Sequence, residues 1–206
     1  MEVRLFILLF LFWAGIHSAA AASSFKNAVR DVVGERAFNG FYRLIYNLFA
    51  GFTFLPLLYL ATQLPDERLW TIPLPFNILF VLLQLVGVGG VVVSLLQTDV
   101  WRFLGVRQVL NFFRQQAEPL PTNTFIATGS YRLVRHPLYF FSLLFLWFTP
   151  IMTRNILIFN AAATLYFWLG SIPEERKLAA AFGDAYRDYQ KRVPRLIPWK
   201  GLNRSS

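Results

Sequence analysis

The chain contains no cysteine, which excludes disulfides, thiolate zinc sites, iron–sulfur clusters and a cysteine nucleophile. Histidine is nearly as scarce, with only His17 and His136. Two imidazoles form no zinc cage without several carboxylates around them, so no metal is expected. Charge is thin as well: 15% of residues, against about a quarter in a soluble domain. Apolar residues fill the space, at 56% of the 206 positions, with 22 phenylalanines among them. Disorder is excluded, because disordered chains are poor in aromatics and rich in charge. An ordinary soluble domain is excluded too, since this chain lacks the polar side chains to cover itself in water.

Five stretches approach the roughly 20 apolar residues that cross a bilayer core of about 30 Å: 5–22, 41–62, 76–97, 138–152 and 155–172. The expected fold is therefore all-α and polytopic, with about five transmembrane helices. The last two are short and read as a hairpin, turning through Pro150 and Thr153-Arg154-Asn155. Pro56 predicts a kink in the second span. Residues 99–115 mix Trp101, Phe103, Leu110 and Phe113 with Arg102, Arg107 and Arg114, the composition of a helix lying in the interface. Pro119, Pro121, Asn123 and Thr124 mark 117–128 as a loop. These features divide the chain into a three-helix membrane region, 1–98, and a second region, 99–206.

The first stretch also has the form of a signal peptide, with an apolar core at 5–12 and small residues at 19–24. The cations decide against cleavage. Segments 23–43, 98–136 and 173–206 carry 17 of the 20 lysines and arginines, and the other ends hold only Arg4, Arg68 and Arg154. Five crossings with the N-terminus outside place all 17 in the cytoplasm, as the positive-inside rule requires; four crossings reverse them. The expected location is an integral membrane protein, of the bacterial inner membrane, with its C-terminus in the cytoplasm. The net charge of +9 then has a bilayer partner, and nucleic acid is not expected.

Polar residues concentrate at two places. Gly129-Ser130-Tyr131-Arg132-Leu133-Val134-Arg135-His136-Pro137-Leu138-Tyr139 leads into the fourth span. Pro137 suits the first position of a helix, which sets Arg135 and His136 beside the free N–H groups of its N-terminus. Glu174-Glu175-Arg176 follows the fifth span, where two carboxylates oppose the helix macrodipole and call for a cation. A hairpin places both clusters at one end. Beyond them Leu178, Phe182, Tyr186, Tyr189 and Val193 recur at 4, 4, 3 and 4 residues, one face of an amphipathic cytoplasmic helix. Elsewhere, Gly87-Val88-Gly89-Gly90 reads as close helix packing. His17, with Trp13 and Ser18, reads as an interhelical hydrogen-bonding group.

The two clusters together resemble the signature of the isoprenylcysteine carboxyl methyltransferase superfamily, which are membrane-embedded methyltransferases. The matching residues are Gly129, Tyr131, Arg135, His136, Pro137 and Tyr139, then Glu174, Glu175, Leu178, Phe182, Gly183, Tyr186, Tyr189, Val193 and Pro194. Residues 105–109 and 149–153 are similar to its bacterial thiol-methylating branch, and the first half is similar to NnrU-type membrane proteins. The resemblance implies that 99–206 is a methyltransferase core binding S-adenosylmethionine. It assigns cofactor binding to Gln108, Tyr131, Arg135, His136, Pro137, Leu138, Tyr139, Glu174 and Glu175, and catalytic roles to His136 and Glu175. The acceptor it implies is a small thiol or a lipophilic molecule reached from the bilayer. A non-catalytic membrane scaffold is the alternative, argued from Phe141, which stands where the family pattern has glycine.

Overall fold

A computed structural model describes residues 2–116 and 125–198. Of the expected loop at 117–128, residues 117–124, with Pro119, Pro121, Asn123 and Thr124, lie outside the described residues. In chain order the elements are α1 (Glu2–Ala21), α2 (Ser23–Val33), α3 (Glu35–Gln63), β1 (Arg68–Thr71), α4 (Phe76–Leu96), α5 (Val100–Leu104) and α6 (Val106–Phe113), then a 3-10 turn (Gly129–Arg132), α7 (Pro137–Trp147), β2 (Ile151–Thr153) and α8 (Arg154–Arg192). Four of them, α1, α3, α4 and α8, are long and apolar enough to cross a membrane. Their outward side chains suit lipid: Phe12, Phe52 and Leu85 are 67%, 70% and 61% exposed. This is an α-helical integral membrane protein. The chain forms two compact units interleaved in sequence, Met1–Pro65 with Asp99–Thr122 and Asp66–Thr98 with Asn123–Ser206.

In the first unit α1 is fastened to α3 by side-chain hydrogen bonds, each worth about 0.6–2 kcal/mol between membrane helices. Trp13 Nε1 donates to Thr53 Oγ1 at 3.0 Å, and His17 Nε2 meets the Tyr46 hydroxyl at 2.6 Å. The expected interhelical role of His17 and Trp13 holds. Pro56 sits inside α3 without ending it. The expected interfacial helix is two short ones, because Gly105 adopts φ +95° between α5 and α6. A side chain there would be strained by that φ and would also lie 2.4 Å from the Leu44 backbone nitrogen.

The second unit holds the helical hairpin, and its turn differs from expectation. The apolar run to 152 stops being helical at Trp147, so α7 is about 16 Å long. A helix that ends this early leaves carbonyls without partners at membrane depth. Two side chains satisfy them: Gln84 Nε2 donates to Phe145 O at 3.1 Å, and Asn160 Nδ2 to Leu146 O at 2.8 Å. The chain then runs on as β2, paired antiparallel with β1, an element the apolar pattern did not reveal. Thr153 Oγ1 caps α8 by accepting from Ile156 N. Slight burial of Asp66 is outweighed by hydrogen bonds from Thr153 and the Asn155 and Glu67 amides and by Arg154, which hold its carboxyl below the usual range.

The glycine pattern of α4 acts as expected at two of its three positions. A methyl carbon on Gly87 would lie 2.8 Å from Phe145 N, and one on Gly90 would lie 2.2 Å from the Phe141 ring. Gly90 is thus the recess that receives Phe141, and the bulky ring is spent on packing α7 against α4. Gly90→Ala overpacks this contact and is expected to cost about 1–3 kcal/mol. The check is the thermal midpoint in detergent, with the smaller side chain of Phe141→Leu added to Gly90→Ala expected to recover part of the loss. A wild-type midpoint for Gly90→Ala alone refutes the assignment.

α8 is not one straight rod. Gln190 Nε2 donates to Glu175 Oε2 at 3.0 Å across 15 residues, positions that a straight helix would hold about 22 Å apart. The chain reverses between them at Gly183, whose φ of 57° and ψ of −133° interrupt the helix. The stripe from Leu178 to Val193 is therefore shared by two arms folded together. Tyr186, Tyr189 and Val193 from the second arm pack against Leu178, Ala179 and Phe182 from the first, with Phe125 and Ala127 beside them.

Candidate active site

The site grows from the start of α7. The 3-10 turn ahead of it is tied to the end of α4: Gln97 Oε1 accepts from Ser130 N and Oγ at 3.1 and 2.6 Å. Ser94, fully buried, donates to Gly90 O and lies 3.0 Å from Ser130 Oγ. Neither Ser94 nor Gln97 stood out in the sequence, because a small polar residue at a helix end has no distinctive spacing. Pro137 occupies the first turn of α7, as expected. The amides of Arg135 and His136 just before it donate to Pro194 O and Arg195 O at 2.9 and 3.2 Å. The folded-back tail thus supplies the partners that this stretch of backbone needs.

Arg135, His136, Glu174, Glu175 and Tyr139 meet in one cluster. Arg135 Nε and Nη2 bind Glu175 Oε1 and Oε2 at 2.6 and 3.0 Å, a bidentate pair. Its Nη1 donates to Gln190 O and Val193 O. Both side chains of the pair are only 11% exposed. Glu175 also receives Gln190 Nε2 and faces His136 Nε2 at 3.2 Å. Glu174, with a side chain 48% exposed, lies 3.5 Å from His136 Nδ1 and accepts from Tyr139 Oη at 3.0 Å. The buried His136 ring therefore stands between two carboxylates. Its face stacks on Tyr139, and Tyr139 stacks on Phe167, at 5.2 and 4.8 Å between centroids.

Tyr131 is half-buried and its carbonyl accepts from Tyr189 Oη at 2.6 Å. Burial, then the nearby Glu174 charge, push its phenol above the usual range. Leu138 follows Pro137 in the first turn of α7. Gln108 lies in the first unit, where Nε2 donates to Arg102 O at 3.0 Å while Oε1 is buried with no partner among the described residues. Gln190 and Phe167, which also touch the cluster, carry no signal in the sequence. On an amphipathic tail or an apolar span their residue types look ordinary.

The fold and this cluster define a polytopic membrane protein with carboxylates, a buried cation and stacked rings gathered at the mouth of a helical hairpin. Residues 5–149 match the family model described as NnrU protein. The methanethiol S-methyltransferase of Pseudomonas deceptionensis is 34% identical over 194 residues, covering 93% of this chain and 71% of that protein. Methanethiol S-methyltransferase 1 of Bradyrhizobium diazoefficiens is 33% identical over 198 residues, with 94% and 66% covered. The corresponding Mycobacterium tuberculosis enzyme is 37% identical over 113 residues, 55% of this chain and 46% of its own. No solved structure matches. The chain belongs to the NnrU family, and with it to the isoprenylcysteine carboxyl methyltransferase-like superfamily of membrane proteins.

Proposed function

We propose that this protein is a membrane methyltransferase that moves a methyl group from S-adenosylmethionine to a small thiol, with methanethiol as the first acceptor to test. Relatives that share a third of its residues across nearly the whole chain carry the name methanethiol S-methyltransferase. The observation that carries the reading is the single cluster formed by the α7 entrance and the Glu174–Glu175 pair. Its chemistry fits the donor, since a half-exposed carboxylate beside stacked ring faces suits a ligand with an ammonium and a sulfonium. When bound, that donor supplies an activated methyl group open to in-line attack by the acceptor sulfur.

The protein's own residues divide the work. Glu174 and Tyr139 face the ligand; Arg135 and Glu175 neutralise each other and hold the α7 entrance against the tail. His136, the one histidine in the cluster, is assigned the relay of the acceptor's proton. Alignment and a dry apolar surround supply the rest of the acceleration. On the cation distribution, this reading sets this end of the hairpin on the cytoplasmic side. The ring of Phe141 is turned to Gly90, so its bulk lends the scaffold reading no support.

Calorimetry on the purified protein in detergent tests the donor, with S-adenosylhomocysteine as probe. Saturable binding is expected, and silence at millimolar ligand overturns the enzyme. Labelled-methyl transfer into methanethiol, farnesylcysteine and phosphatidylethanolamine then ranks acceptors, with methanethiol expected first. Glu174→Gln removes the charge facing the ligand and leaves the buried pair intact, so it is expected to weaken donor binding about tenfold or more without moving the thermal midpoint. Unchanged affinity removes Glu174 from the site.

A further inference from the structure

We infer that Arg195, on the folded-back tail outside the signature motif, binds the carboxylate of the donor's amino-acid moiety. This rests on the methyl-donor reading above and adds a residue to it. An α-amino acid group is a zwitterion and asks a site for one anion and one cation. Glu174 is the anion, lying at 3.5 Å from His136 Nδ1 and 3.0 Å from Tyr139 Oη. Arg135 is the obvious cation and is already spent: of its five N–H groups, two bind Glu175 and two bind the carbonyls of Gln190 and Val193.

Arg195 differs on each count. Its carbonyl accepts the His136 amide at 3.2 Å, which fixes its backbone against the residue at the centre of the site. Its guanidinium lies over the Trp168 ring at 4.1 Å. A cation–π contact consumes none of the guanidinium's N–H donors, which leaves them for a carboxylate. Among the described residues no carboxylate pairs with it. Glu174 on α8 and the unspent Arg195 guanidinium on the tail thus offer the anion and the cation that an amino-acid-bearing nucleoside asks for and a bare one does not.

The test compares two ligands by calorimetry on the full chain in detergent. S-adenosylhomocysteine carries the amino-acid group, and 5′-methylthioadenosine keeps the thioether nucleoside without it. Arg195→Met preserves a chain that packs on Trp168 and deletes the fork. It is expected to weaken S-adenosylhomocysteine about 10- to 100-fold, to leave 5′-methylthioadenosine within about twofold, and to keep the wild-type thermal midpoint. Arg195→Lys is expected to recover part of the loss. Unchanged S-adenosylhomocysteine affinity, or an equal fall for both ligands, overturns the role. A wild-type protein that binds neither nucleoside instead overturns the methyl-donor reading, and this role with it.

Discussion

Glu175→Leu is expected to cost about 3–5 kcal/mol of stability, the largest loss of any single replacement at the site. The carboxylate it removes takes two bonds from Arg135 and one from Gln190, and it faces His136 at 3.2 Å. With both side chains of the pair 11% exposed, water cannot replace what is lost. The guanidinium is left charged, buried and half-bonded, which is the costly half of breaking such a pair. The control is Arg135→Met together with Glu175→Leu, which removes both charges and is expected to recover most of the stability. Thermal and denaturant unfolding in detergent measure both variants. Equal instability of the single and double variants would show that packing rather than the unpaired charge sets the loss. Donor binding is expected to weaken in both, because each lacks the carboxylate that joins Arg135, His136 and Gln190.

The second large effect belongs to Gly183. At φ 57° and ψ −133° the backbone is in a region that only glycine occupies without strain, and forcing a side chain there costs about 1–3 kcal/mol. Gly183→Val adds a β-branch to that cost and is expected to straighten the chain. The reversal delivers Gln190 to Glu175, Tyr189 to the Tyr131 carbonyl, and Pro194 and Arg195 to the α7 entrance. A straightened arm loses all of them together. The expected result is a lower unfolding midpoint accompanied by loss of S-adenosylhomocysteine binding, and rapid proteolysis between 176 and 193. Gly170→Ala, also in α8 but with ordinary helical geometry and nothing within 4 Å of the added carbon, is the matched control. It is expected to be neutral or slightly stabilising. If the two variants behave alike, the reversal does not depend on glycine.

Much of this protein could be read from residue order because a bilayer imposes simple rules. Length and hydropathy marked five spans, of which α1, α3, α4 and α8 have the length to cross and α7 is shorter, since a backbone in lipid must satisfy its own hydrogen bonds and a helix does so locally. The small residues at Gly87 and Gly90 announced a close helix contact for the same local reason. The pairing of Arg135 and His136 with Glu174 and Glu175 was legible because charges at a membrane edge need partners of opposite sign. Tertiary contacts decided the rest. The early end of α7 depends on Gln84 and Asn160, which reach its carbonyls from other helices. The β1–β2 ribbon depends on pairing between segments some 80 residues apart, a relation that no local period records. The reversal at Gly183 turned an apparent single amphipathic face into two packed arms. That reversal, and not the motif, determined that Arg135 is consumed in holding the tail to the α7 entrance. Patterns of period and charge report what one segment does alone; the spending of each donor and acceptor is settled only when distant segments touch.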